Sequence, residues 1–271
     1  MIKAFAPAKI NLALHVTGQR SDGYHRLDSL VVFADVGDRL IVTPAKKMSL
    51  SVSGVYSEGV PTDSSNLVWK AAAACGFTAD IELEKQLPNA AGIGGGSADA
   101  AAMLRVAMQF GNSIDRDLAS LGADVPVCVS SSPQRMQGIG DVLTNVPYLP
   151  DMWIVLVNPR VDVPTPMVFS ALKTKINPKM VTVMPNWKDF TEFCAWLESQ
   201  RNDLQAPAVA IQPVIDDALA ALSDSTIVRM TGSGATCFGL YPSAKDAGEA
   251  AQRIQKAYPH WWVADAKVFT T

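Results

Sequence analysis

A chain of 271 residues with 48% apolar and 18% charged side chains, and 17 prolines scattered along it, is long enough to bury a core without metal or disulfide, which argues against disorder. That length suits one large domain or two small ones. A net charge of -3 without any long lysine or arginine run leaves no electrostatic footprint for nucleic acid or for an anionic membrane.

Residues 2–18, "IKAFAPAKINLALHVTG", alternate apolar with polar or small residues and predict one or two strands interrupted near Pro7. They read as neither signal peptide nor membrane anchor. Within them Lys9 and Asn11 stand in an apolar stretch, and a lysine there either finds a partner or snorkels to water from a strand end. "SDGYHRL" follows, with a turn signal at Asp22-Gly23 that places Tyr24 and His25 at its edge, as surface residues or as a stacking pair. "DSLVVFADVGDRLIVTP" and "MSLSVSG" continue as strands. "SNLVWKAAAACGF" predicts a helix capped by Ser65 or Asn66 and closed near Gly76, and "ADIELEK" a further strand.

"LPNAAGIGGGSADAAAML", residues 87–104, crowds glycines directly before an alanine-rich run that predicts a helix over 97–109. Bare backbone ahead of a helix start fits two readings. Gly92, Gly94, Gly95 and Gly96 wrap phosphoryl oxygens with the Ser97 hydroxyl beside them, or they form a tight turn with Ser97 as N-cap. The run matches neither the P-loop pattern nor the dinucleotide fingerprint, since Ser97 stands where the third glycine of the latter belongs. "SLGADVPVCV" then sets Asp124 at an apolar strand entry, as a turn former or as a functional base.

A composition shift at "NVPYLPD" places a soft boundary there, dividing the chain into 1–149 and 150–271, with the last strand able to pack back on the first part. Beyond it "MWIVLVNP" is a strand, and "NWKDFTEFCAWLESQ" and "PVIDDALAALSD" are helices. "TIVRM" and "ATCFGLY" are strands around a turn bearing Gly232 and Gly234, read as a hairpin or as a second backbone ridge facing a ligand. "AKDAGEAAQRIQKAY" is a helix and "WWVADAKVF" a strand. Strands and helices mix without regular alternation, so the class is α+β. Cys75, Cys128, Cys194 and Cys237 form no close pair, which suggests reduced, buried thiols and a cytoplasmic location. Three histidines and no G-x-S-x-G give little support to a hydrolase triad.

Taken in order, "PAKINLALHV", "DGYH", "PNAAGIGGGSADAAA", "GADVPV" and "TGSGATCF" closely resemble the GHMP kinases, over nearly the whole chain. "PAKINLALHV" with "DGYH", and the later "RNDLQAPA", are similar to the branch of that family whose acceptor is 4-diphosphocytidyl-2-C-methyl-D-erythritol. The resemblance implies a two-lobed α+β fold with its active site in the cleft between lobes, and transfer of the ATP γ-phosphate to the acceptor's 2-hydroxyl. It implies Asp124 as base and Lys9 as the cation stabilising that carboxylate and the transferring phosphoryl group. For ATP it implies Ser65 and Asn66 at the adenine and Pro88, Gly92, Gly94, Gly95, Gly96 and Ser97 in the loop that holds the rest of the nucleotide, and for Mg2+ a ligand at Ser97. For the acceptor it implies Tyr24 and Phe169 on the two faces of the cytosine, His25 at its edge, and Asn11 and Thr165 orienting the rest. A monomer or homodimer is expected, with no nucleic-acid or membrane partner. The chain departs from the family at Val31, where an aromatic residue is usual, at the short segment 110–126, and at Ser131-Ser132, where a glycine pair is common. Two rivals remain open: a homoserine- or mevalonate-type kinase, and a catalytically silent nucleotide-binding regulator.

Overall fold

The structure is a computed structural model and describes residues 1–113 and 117–271. Part of the short segment 110–126 therefore lies outside the described residues. Two units share the chain: 1–9, 36–89 and 94–131 form the first, and 10–35, 90–93 and 132–271 the second. The single cut expected near residue 149 does not match this division. The physical reason is strand length: β1 (Ile2–Gln19) and β2 (His25–Pro44) each run through both units. Pro7 does not interrupt β1, because its fixed φ is compatible with extended backbone and only its missing N–H is a liability.

In the first unit, β3 (Ser49–Ser53) pairs parallel with β4 (Ala79–Glu84), which in turn pairs antiparallel with residues 39–44 of β2. Helix α1 (Leu67–Ala74) is capped by Asn66, whose Oδ1 accepts from Val68 N at 2.8 Å. Helix α2 (Gly95–Gln109) packs on α1 and on the short α3 (Val125–Ser130). Its run Ala98, Ala100, Ala101, Ala102 is buried, and side chains this small let the neighbouring helices approach closely.

Arg105 fastens this packing. Its guanidinium donates to Cys128 O at 2.8 Å, to Ser131 Oγ at 3.0 Å and to Phe5 O at 2.7 Å. Ser131 has φ 49°, a left-handed conformation that favours glycine, and its hydroxyl accepts from Arg105 at 3.0 Å and donates to Cys128 O at 2.8 Å.

In the second unit β5 (Gln134–Gly138) pairs antiparallel with β2 over Leu27–Val31 and with β6 (Val142–Asn145). Val31 is fully buried there. Strands β7 (Trp153–Asn158), β8 (Ile227–Met230), β9 (Cys237–Tyr241) and β10 (Trp262–Lys267) form a four-stranded antiparallel sheet in the order β10-β7-β9-β8. Helices α4 (Thr165–Ser170), α5 (Phe190–Glu198), α6 (Gln205–Ile211), α7 (Val214–Ala221) and α8 (Ala244–Ala257) complete the unit. Val155, Val157, Val168, Leu204, Ile215, Cys237 and Ile254 share one core cluster. All four cysteines are buried free thiols. No helix of the described residues is long and apolar enough to cross a membrane.

Candidate active site

The glycines before α2 do two different jobs. Gly94 is the N-cap, with φ 65° and no side-chain cap bond. Ser97 is thus the third helical residue and not the N-cap, because the left-handed glycine starts the helix earlier. The first intrahelical bond joins Ala98 N to Gly94 O at 2.8 Å, so the amides of Gly95, Gly96 and Ser97 have no intrahelical acceptor. With the helix dipole they offer an anion site, and the partly exposed Ser97 lies beside Gly122. A Cβ on Gly94 would sit 3.2 Å from Lys9 Cβ and 3.4 Å from Lys9 Cε, so the bare backbone also makes room for that lysine.

Gly92 belongs to the second unit and answers to other backbone. A Cβ on it would lie 2.7 Å from Gly234 O and 2.8 Å from Thr231 O, and a Cβ on Gly232 would lie 2.5 Å from Gly92 O. The turn between β8 and β9 is therefore a hairpin connection and also the ridge on which Gly92 rests. Asn202, from the "RNDLQAPA" stretch, braces it by donating to Met230 O at 2.7 Å and Gly232 O at 2.9 Å.

Asp124 sits at the N-cap position of α3, with Pro126 in the first turn. The sequence predicts a strand entry here; six helical residues are too few to show a helical period, and proline is at home in a first turn. The carboxylate makes no capping bond. It accepts from Lys9 Nζ at 2.8 Å instead. The Lys9 side chain is 5% exposed and that of Asp124 32%, so the pair has one covered and one open end. A charged donor and a charged acceptor at this distance make a strong, oriented contact.

Beneath the same helix start lies a group that sequence reasoning missed. Lys85 Nζ donates to Asp38 Oδ2 and, at 2.7 Å, to Asp99 Oδ2, and all three residues are buried. Asp38 Oδ1 also accepts from Gln86 N at 2.6 Å and Leu87 N at 2.9 Å, which pins the chain entering the glycine stretch just before the buried Pro88. Burial above all, opposed by Lys85 and aided by Asp38, pushes the Asp99 carboxyl up to about 8. Burial disfavours the Lys85 ammonium, and the Asp99 and Asp38 carboxyls more than offset this, so its pKa lies above the ordinary value. A Cβ on Gly95 would lie 3.5 Å from Lys85 Nζ. The only signal was a lone lysine at the end of an alternating strand.

The adenine candidates Ser65 and Asn66 stand at the start of α1. Leu67, which follows them, lies 3.7 Å from where a Gly96 Cβ would stand. Ser65 is exposed and bonded to Asp63 Oδ1, while Asn66 divides its side chain between the α1 cap and Pro61 O at 2.7 Å. Among the described residues no three His, Cys, Asp or Glu side chains cluster to hold a metal.

The acceptor candidates lie in the second unit. Asn11 N donates to Thr231 Oγ1 at 2.8 Å and its Nδ2 to Ser29 Oγ at 2.8 Å, leaving the buried Asn11 Oδ1 without a partner. Thr165 opens α4 and its hydroxyl lies 2.7 Å from Ser233 Oγ. Tyr24 is 63% exposed. His25 stacks on Phe169 with ring centroids 4.8 Å apart and 22° between planes, so the imidazole itself covers a face expected for a base.

Comparison with known proteins bears on the family and the fold. Residues 66–146 match the model of the GHMP kinases N terminal domain, and residues 179–260 that of the GHMP kinases C terminal. Two curated proteins named 4-diphosphocytidyl-2-C-methyl-D-erythritol kinase are each 54% identical: one from Dinoroseobacter shibae, aligned over 97% of this chain and 93% of its own, and one from Ruegeria pomeroyi, over 98% and 99%. A crystal structure of 4-(cytidine 5'-diphospho)-2C-methyl-D-erythritol kinase superposes with TM-score 0.78 at 30% identity, covering all of both chains. Homoserine kinase from Cytophaga hutchinsonii, at 16% identity and TM-score 0.67 over 100% of this chain and 95% of its own, shares the fold. The chain belongs to the GHMP kinases, in the branch formed by these 4-diphosphocytidyl-2-C-methyl-D-erythritol kinases.

Proposed function

We propose that the chain transfers the γ-phosphate of ATP to the 2-hydroxyl of 4-diphosphocytidyl-2-C-methyl-D-erythritol, a step of non-mevalonate isoprenoid precursor synthesis. The observation that carries the mechanism is the Lys9–Asp124 pair, with Gly94 admitting the Lys9 side chain at the uncapped start of α2. Asp124 accepts the hydroxyl proton as the acceptor oxygen bonds to the γ-phosphorus. The bond from phosphorus to the bridging oxygen breaks, and its electron pair leaves with ADP. Lys9 holds the carboxylate in line and offsets charge on the moving phosphoryl group. Phosphoryl transfer depends mostly on such positioning and charge stabilisation.

The amides of Gly95, Gly96 and Ser97 grip the phosphates, Lys85 and its two carboxyls keep that helix start in place, Ser65 and Asn66 border the adenine, and Pro88 stands at the entry to the glycine loop. The Ser97 hydroxyl, an oxygen donor at the loop, would hold a magnesium ion that keeps most of its waters, and such an ion would supply neutralisation of phosphate charge. Asn11 Oδ1, buried and unpartnered, accepts from an acceptor hydroxyl. Tyr24, His25, Thr165 and Phe169 take the cytidine end. ADP release measured with the diphosphocytidyl acceptor, homoserine and mevalonate tests the assignment: turnover is expected with the first alone, and preference for either of the others contradicts it.

A further inference from the structure

Lys175 differs from the lysines around it. It follows α4 in the chain and is half-buried, whereas Lys173 and Lys179 are exposed. Its ammonium donates to Gln19 Oε1 at 3.2 Å, and the Gln19 amide donates to Gly23 O at 3.1 Å, which ties the lysine to the turn carrying Tyr24 and His25. Among the described residues no carboxylate pairs with it; Asp22, the acid of that turn, is bound to Arg20 at 2.8 Å.

An ammonium on a half-buried stem whose hydrogen-bond partner is an amide oxygen has no counter-charge of its own. Beside it, burial and then the Lys175 charge hold the His25 imidazole below its ordinary range, so the ring stacked on Phe169 is neutral near pH 7. Its Nε2 is buried without a partner. One locality thus holds aromatic faces, an unused neutral ring nitrogen and one uncompensated cation. Those features suit a base joined to an anionic group, and a lysine on a flexible four-carbon stem is a point-charge phosphate binder.

We propose that Lys175 is the cationic contact for the diphosphate of the acceptor and sets the preference for a nucleoside diphosphate over the uncharged nucleoside. This rests on the acceptor assigned above and adds a residue to it.

Calorimetric titration of the full chain with CDP and with cytidine tests the proposal in the wild type, in Lys175→Met and in the charge-retaining Lys175→Arg, each checked for folding by its melting curve. The wild type is expected to bind CDP about 30-fold more tightly than cytidine, the size of one charge-assisted contact. Lys175→Met brings the two affinities together by weakening CDP alone, and Lys175→Arg keeps most of the difference. In turnover Lys175→Met raises the acceptor KM and leaves kcat and the ATP KM near wild type. An undiminished CDP preference in Lys175→Met, an equal loss for both ligands, or a wild type that binds both alike overturns the proposal. A wild type that prefers CDP through Lys175 yet does not phosphorylate the diphosphocytidyl acceptor overturns the catalytic assignment and leaves the lysine's role standing.

Discussion

Lys9 Nζ and Asp124 Oδ2, 115 positions apart in sequence, meet at 2.8 Å. The lysine is the covered member of the pair and the aspartate the open one, so the exposed carboxylate edge is available to a hydroxyl. Replacing Lys9 by Met keeps a stem of similar shape and removes the charge. We expect kcat to fall by about 10^3, the scale of losing one preorganised electrostatic contact, with the dissociation constant for ATP near wild type. Rapid-quench turnover with equilibrium nucleotide binding checks both.

Gly94→Ala is expected to damage stability and activity together. A left-handed alanine costs about 1 to 2 kcal/mol, and its Cβ would also press on Lys9. Gly76 provides the control: it too has positive φ, 61°, but no atom lies within 4 Å of its would-be Cβ. Gly76→Ala should lower the melting temperature to a similar degree and leave kcat alone.

Asn202→Ala should be among the more destabilising single changes in the second unit. It removes the donors to Met230 O and Gly232 O and the acceptor for Leu204 N at 2.9 Å, all in a buried setting. Leaving such groups unpaired costs about 3 kcal/mol in total, read as a fall in Tm of about 6 to 12 °C. A fall within the error of the melt would show that the turn bearing Gly232 holds without its brace.

The Asp99 carboxyl predicts a pH dependence whose sign follows from its raised value. A carboxyl at about 8 in the fold against 3.8 when free binds its proton more tightly when folded. Its contribution to stability is complete in acid below the ordinary carboxyl range and is lost as pH climbs through the folded value. Asp99→Asn keeps the shape and does not titrate. Comparing the two proteins' denaturation midpoints from about pH 5 to about pH 8.5, the wild type should lose stability relative to the Asp99→Asn variant as pH rises; parallel curves would contradict the account.

The parts of this site legible in the sequence were those written as local runs. The glycines ahead of an alanine-rich helix, the Asn66 cap, the alternating strand at 79–84 and the continuously apolar strand at 153–158 each show their chemistry within a dozen residues. Asp124 was legible as a residue and misplaced as to element, because a six-residue helix opened by proline has no period to read. The Asp38–Lys85–Asp99 group escaped notice since its members come from a strand, a strand end and a helix, and only packing joins them. Gly92 was visible as one more glycine of the run, but its neighbours, Thr231 and Gly234, are more than a hundred residues away. The division into units was illegible because β1 and β2 serve both, and no composition shift marks a crossing made in the middle of a strand.

The most direct measurement is single-turnover transfer of the γ-phosphate to the acceptor by Asp124→Asn, with product followed by 31P NMR and nucleotide affinity measured in parallel. The account predicts ATP binding close to wild type and formation of the 2-phosphate slowed by about 10^2 to 10^4, the range for a positioned base. Transfer at the wild-type rate by a variant that lacks the carboxylate would contradict it.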